Sequence, residues 1–307
     1  RAQMLLAFES TYGTAPASGF TRIPFARSTL GAEQPLVDNE LLGYGRDPLA
    51  PIKDAVTADG EVAIPLDAQA LGFWLKGAFG SPTTTDNLDG TFDHVFESGK
   101  WDLPSISIET GLPEVPRYAM YSGCKVDQIT WTMQRAGQLT GAVSLVAQGE
   151  AKASTSQGGT PASIALKRFG HFNGSIKRAS TALGNVTSVQ LTYANNLDRI
   201  ETIRSDGLID GADPSIAALT GRIDVRFADE TLVDQAIAGD PCELEFAYVL
   251  PGGESFTLVV HAVYLPRPRI SIDGPQGVQA SFDWQAALAD SPARMATATL
   301  VNSVESY

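Results

Sequence analysis

Glu243 and Glu245 lie two residues apart in Cys242-Glu243-Leu244-Glu245-Phe246, so on a strand both carboxylates leave the same face. Two neighbouring carboxylates could act as the acid and base of a glycoside hydrolase. Alternation with Cys242, Leu244 and Phe246 gives the same spacing without any chemistry, as the wet face of a half-buried strand. The histidines, His94, His171 and His261, are scattered, and none has a second His or Glu at ligand spacing, so no metal site is expected. Cys124 and Cys242 have no C-x-x-C spacing, and buried, reduced thiols are expected rather than a disulfide or zinc framework. Walker, G-x-G-x-x-G and G-x-S-x-G signatures are missing from the sequence. Asn173-Gly174-Ser175 and Asn185-Val186-Thr187 fit the glycosylation pattern but read as turn chemistry. The residues predict no enzyme, no cofactor and no metal.

The elements that would carry these residues are mostly strands. Met4–Phe8, 105–109, 125–131, 139–146, 242–249 and 256–263 alternate, and Pro251-Gly252-Gly253-Glu254 is a hairpin turn between the last two. Thr21–Phe25 reads as extended chain. One helix is expected over 68–80, with Leu71, Trp74, Leu75 and Ala78 on its buried stripe, Asp67 at its start and Gly80 at its end. A second is expected over 229–239, capped by Asp229, burying Leu232, Val233, Ala236 and Ile237 and closed by Gly239. Trp74, Trp101, Trp131 and Trp284 are expected as core anchors. Residues 150–162 read as a surface loop or linker.

These elements occur twice. Asp59–Asp67 and Thr220–Phe227 are strands of like alternation, each followed by one helix and a glycine. Upstream, Arg27-Ser28-Thr29-Leu30-Gly31 echoes Ser180-Thr181-Ala182-Leu183-Gly184. Downstream, Gly123 leads to Trp131 as Gly277 leads to Trp284. The period is too long for a solenoid unit, so two tandem lobes are expected, over 1–155 and 163–307. Each carries a long arm, 31–59 and 184–220, far longer than an ordinary connection, poorly ordered in a free subunit and ordered on assembly. Gly43, Tyr44, Arg46 and Asp47 in the first arm, and Leu208, Ile209 and Asp213 in the second, are the candidate contacts between assembled rings.

Composition narrows the partners. The chain has 307 residues, enough for two cores, with 43% hydrophobic and 19% charged residues, which is globular. Its net charge of −13 argues against a surface that grips nucleic acid, because phosphate binding needs clustered Lys and Arg. No apolar run approaches a membrane span and no secretory leader is visible, so a soluble, cytosol-made protein without membrane contact is expected.

Glu9-Ser10-Thr11-Tyr12-Gly13-Thr14, the Asp59-Gly60-Glu61-Val62 strand with its single following helix, and Ala298-Thr299-Leu300-Val301-Asn302 resemble the tail tube (major tail) proteins of long-tailed, siphovirus-type bacteriophages. The resemblance implies a mainly β chain with one flanking helix per lobe: two tandem β-sandwich domains whose sheets join into a continuous barrel on oligomerisation. It implies a structural virion protein, assembled in the bacterial host cytoplasm, that forms stacked rings around a channel for DNA ejection. Single-domain members form six-subunit rings; a duplicated chain would close the same ring as a trimer with approximate sixfold symmetry. The implied partners are further copies of the chain and the tape-measure, tail-terminator and distal-tail proteins. Duplex DNA would pass the lumen without specific binding, repelled by an acidic wall for which Glu109, Asp127, Glu243 and Glu245 are the candidates. A surface-layer or pilus-like β-protein remains the alternative, and a carbohydrate-active hydrolase a third.

Overall fold

The computed structural model describes residues 2–226, 230–268 and 279–307. Its main elements are β1 (Gln3–Phe8), β2 (Thr57–Pro65), α1 (Leu71–Phe79), β3 (Phe92–Glu97), β4 (Ile106–Leu112), β5 (Arg117–Gln134), β6 (Thr140–Ala147) and β7 (Gly149–Ala153). They continue with β8 (Gly174–Arg178), β9 (Val186–Ala194), β10 (Ala218–Arg226), α2 (Thr231–Ala238), β11 (Cys242–Val249), β12 (Ser255–Tyr264), β13 (Gln279–Ala286) and β14 (Ala296–Asn302). The chain is mainly β, as alternation predicts.

One antiparallel run of strands crosses the whole molecule. It starts at Arg27–Ser28 and Gly31–Glu33 and passes through β2, β6, the C-terminal half of β5, β9, β10 and β13. It ends where Val263 and Tyr264 of β12 meet Ala286 and Gln285. The middle junction, β5 with β9, pairs Gln128–Gln134 with Ser188–Ala194 and joins the first half of the sequence to the second. Behind this run lie two further sets of strands. Thr21–Arg22, β1, β4, the N-terminal half of β5 and β7 follow one another in the first. Thr181–Ala182, β8, β11, β12 and β14 follow one another in the second.

The neighbour order is the same in the two sets, and so is a one-residue bulge. Ile106 faces Cys124 and Ile108 faces Tyr121, while Cys242 faces Val263 and Leu244 faces Val260. A bulge bends a strand where it must leave one sheet for another. It does so here in β5, which serves both layers.

The core follows from alternation. Val62, Ile64, Val143, Leu145, Ile129, Trp131, Val189, Leu191, Ile223 and Phe282 point inward from the crossing sheet and are buried. They meet Ile106, Ile108, Phe246, Phe256, Leu258 and Leu300 from behind in one cluster. Burial of a large apolar side chain is worth about 1.5–3 kcal/mol, so this cluster dominates the stability.

α1 buries Leu71, Trp74, Leu75 and Ala78, the expected stripe, and ends at Gly80, whose φ of 85° suits glycine. Asp67 acts one turn earlier than a helix cap: its carboxylate accepts the N–H groups of Gln69 and Ala70, each at 2.9 Å, and that of Lys167. Burial holds this carboxyl above the usual aspartate range, against three amide donors that favour the anion. α2 buries Leu232 and Ala236, but Val233 is only half-buried and Ile237 is exposed. Gly239 closes it in the left-handed conformation. The expected cap Asp229 and the Gly277-Val278 echo lie outside the described residues.

Three expectations are corrected. Trp101 is 70% exposed and anchors no core. Trp131 and Trp284 occupy strands with different neighbours, β5 between β6 and β9, and β13 beside β10, so that part of the echo is not structural. Residues 150–162 are not all loop: β7 covers 149–153, and Ala162–Ser163 pairs in parallel with Thr21–Arg22.

The halves also exchange strands. Thr83–Asp86 and β3, from the first half, extend the second set through β14, with Thr297 facing Glu97 and Asn302 facing Phe92. The tail then returns to α1: Tyr307 Oη donates to Gln69 O at 2.7 Å, and Lys76 Nζ donates to Tyr307 O at 2.6 Å.

Candidate functional site

The outer face of the crossing sheet is the largest feature the core does not use. In β2, β6, β5, β9, β10 and β13 the residues between the buried positions all point the same way. Register aligns them in rows: Ala63, Ala142, Thr130, Thr192, Thr220 and Gln285 form one, and Glu61, Ser144, Gln128, Ala194 and Ala218 the next. Gln190, Arg222 and Asp283 lie in a third, and Gln134, Ser188, Asp224 and Ser281 in a fourth. Small hydroxyl, amide and alanine side chains cover the face. A sheet that buries one side and wets the other reads this way.

Asp224 ties three strands together. Its carboxylate accepts Ser188 Oγ and Ser281 Oγ, each at 2.6 Å, and Arg222 Nε at 3.0 Å. Partial burial raises its pKa, but these donors outweigh it and hold the carboxyl below the usual value of 3.8. The stabilisation is therefore present above the ordinary aspartate value and is lost as pH falls through the lower folded one. Asp224→Ala is expected to cost about 2 kcal/mol at pH 7, the range for hydrogen bonds to a charged group. Urea midpoints at pH 7 and pH 3 should fall together more steeply in the native chain than in Asp224→Asn.

The sheet has two lateral ends. At one, Arg27–Ser28 and Gly31–Glu33 pair only with β2 among the described residues, and Glu150 takes one amide of that edge, Ala32 N, at 3.3 Å. At the other, β13 pairs with β10 and with only the last two residues of β12. An open edge is a template for another strand.

Both arms leave the same rim of this sheet, one between Glu33 and Thr57 and the other between Ala194 and Ala218. They are therefore shorter than the sequence predicts, since flanking strands take up the ends of 31–59 and about a third of 184–220. The first forms a hairpin from Leu36–Asn39 and Leu49–Lys53. Gly43, Tyr44, Arg46 and Asp47 stand exposed at its tip, and Leu41 and Leu42 beside them are 65% and 94% exposed.

The second arm folds back on its own chain. Its hairpin pairs Asp198–Ile200 with Gly211–Asp213. Ile209, a predicted ring contact, is buried with Ala212 against Val146 of β6 and holds the arm down on its own subunit. Leu208 is half-buried, and Asp213 is exposed. Arg199 bonds Asp59 at 2.6 Å, Val56 N donates to Gly207 O at 2.9 Å, and Asn195 Nδ2 donates to Ala78 O and Val126 O. Arg204 grips Asp206 and Asp210 and holds both carboxyls below their usual range. The sequence shows two long loops, but not that one is propped by the other.

The predicted wall carboxylates do not gather here. Glu109 is fully buried on β4, accepting Ser156 Oγ at 2.6 Å and Gln157 N at 2.5 Å. Glu243 and Glu245 are on β11, behind the crossing sheet, near His261 Nδ1 at 3.6 Å and Lys177 Nζ at 2.8 Å. Asp127 sits at the bulge of β5, half-buried, accepting Leu197 N at 2.9 Å at the base of the second arm. No group of three or more His, Cys, Asp or Glu suited to a metal occurs among the described residues. Cys124 and Cys242 are free and buried. No helix among the described residues is long and apolar enough to cross a membrane.

A family model described as phage tail tube protein matches residues 1–286. A search of curated proteins finds no match.

Proposed function

The chain belongs to the phage tail tube protein family, and from that premise we propose that three copies close each ring of the tube, with the crossing sheets joined into one barrel around the path of the DNA. The protein is a structural component of the virion tail, of a family that is generally not enzymatic.

The observation that carries the reading is the β5–β9 junction. Two strand sets with one neighbour order and one shared bulge support a duplicated domain, over about 1–155 and 163–307. The seam between the halves is then a working example of the seam between chains. In it, Gln128–Gln134 of β5 in the first half pair with Ser188–Ala194 of β9 in the second. By the same logic, the end of β12 in one copy meets Arg27–Glu33 of the next. Repeating the seam leaves no lateral edge unpaired, which closed symmetry requires.

Strand number sets the count. Each chain offers eight strand positions to the barrel, including Arg27–Glu33 at one end and the tip of β12 at the other. Three chains give about 24 strands; at about 4.8 Å spacing and 40° tilt the barrel is about 48 Å across its backbone. Side chains leave roughly 38 Å, against roughly 20 Å for a duplex. One chain alone would close on an interior filled with side chains, and six would double the width.

Stacking falls to the extended arm, whose tip residues Gly43, Tyr44, Arg46 and Asp47 are exposed in the single subunit. The second arm buttresses it, with Asp213 its exposed member. Tape-measure, tail-terminator and distal-tail proteins would occupy the bore and the two ends, and assembly would take place in the host cytoplasm. Native mass spectrometry of the smallest assembly is expected to give three chains of 32.5 kDa. A six-chain ring, or a chain that stays monomeric under all tube-forming conditions, would refute the ring.

A further inference from the structure

We infer that the wall of the bore is electrically neutral and covered with hydroxyl and amide groups, so that duplex DNA slides because nothing there binds it, not because carboxylates repel it. The inference rests on the tube reading and concerns the chemistry of the same surface.

Three observations combine. First, alternation puts the large apolar residues of the central strands on the covered side: Ile129, Trp131, Leu191, Tyr193, Ile223 and Trp284 are at most 5% exposed, while Val146, under the second arm, and Tyr264, at the tip of β12, take the other side. Thr130, Thr132, Gln190, Thr192 and Thr220 take the opposite side. Second, the acids on that side each have an arginine at hand. Glu61 meets Arg27 at 3.0 Å, Asp59 meets Arg199 at 2.6 Å, and Asp224 and Asp283 share Arg222 at 3.0 Å and 3.5 Å. Third, the remaining charges stand at the margins, Glu33 and Asp127 against Lys125 and Arg226. Among the described residues of its strands the face is thus within one charge of neutral, while the chain as a whole carries −13. The acidity of the protein lies elsewhere.

The consequence is physical. Phosphates bind proteins through Lys and Arg that displace condensed counterions. Arg27, Arg199 and Arg222 are held by carboxylates, so they offer the duplex little. Hydroxyl and amide groups keep a water layer that a passing duplex need not strip. A neutral wall is also insensitive to salt, whereas an acidic wall would repel most strongly when salt is low.

The test uses assembled tubes and a fluorescent duplex of about 30 base pairs, short enough to enter an open end, with retention measured at about 50 mM and 200 mM salt. Native tubes are expected to retain none at either salt. Tubes carrying Thr132→Lys with Thr220→Lys should retain at least ten times more duplex at the lower salt and release it at the higher. Should that pair prevent assembly, Glu61→Gln with Asp59→Asn frees Arg27 and Arg199 and is expected to move retention the same way. Retention by native tubes, or variant tubes indistinguishable from native ones, would overturn the neutral wall while leaving the tube intact. Absence of any tube would instead refute the assembly itself.

Discussion

Leu42→Asp together with Tyr44→Asp is expected to leave rings intact and abolish their stacking into tubes. Leu42 is 94% exposed and Tyr44 69% exposed at the tip of the first arm. Neither side chain has a role in folding its own subunit, so the melting temperature should not move. In a stacked tube each would be buried against the neighbouring ring, and burying two such side chains is worth about 3 kcal/mol or more. Three arms act together in each ring, so the loss is about 9 kcal/mol per ring contact, before the cost of burying new carboxylates. Sedimentation and negative-stain images should therefore show separate rings. Full-length tubes from this variant would remove the arm from the stacking contact. The same substitutions at Leu208 and Ile209 should act differently: Ile209 is buried against Val146, so its loss should lower stability first.

Gly221→Val is expected to destabilise the fold by about 3 kcal/mol or more, the upper range for overpacking. Gly221 lies on β10 between Leu191 of β9 and Trp284 of β13. A β-carbon there would come within 2.4 Å of both the Gln190 carbonyl oxygen and the Trp284 ring. The carbonyl belongs to the backbone and cannot step aside. The indole, stacked on Phe246 with ring centroids 6.0 Å apart, would have to leave the core. Cross-strand aromatic cover of a strand glycine is a recurrent way of pinning sheet register. Denaturant midpoints measure the loss, and a fully stable Gly221→Val chain would show that the tryptophan does not fix this seam.

Local structure was legible in the sequence in most of the strands and in α1, less so in α2, where Ile237 of the expected stripe is exposed. The α1 stripe of Leu71, Trp74, Leu75 and Ala78 is buried as its spacing predicts, because one face of that helix must cover the sheet. Strand alternation in 242–249 and 139–146 likewise gave the strands within a residue. It does not say which of two layers a strand joins, so the wall candidates were drawn from both layers. Glu243 and Glu245 do alternate with apolar residues, but on β11, behind the crossing sheet. Glu109 alternates as well, yet Ser156 and Gln157 enclose it from a segment nearly fifty residues away. The pairing of β3 with β14 spans some two hundred residues, beyond any local signal, so the exchange of strands between halves was hidden. The arms were visible as lengths of chain without period. That one folds onto Val146 depends on Ile209 and Ala212 meeting β6, a tertiary contact that propensity does not encode.

End-on images of assembled tubes, averaged without imposed symmetry, address the ring most directly. Three chains per turn should give a threefold-symmetric ring with an approximate sixfold outline and an open bore of roughly 40 Å, since about 24 strands close the inner wall. A ring of six whole chains, or a bore too narrow for a duplex, would contradict the joining of crossing sheets between copies.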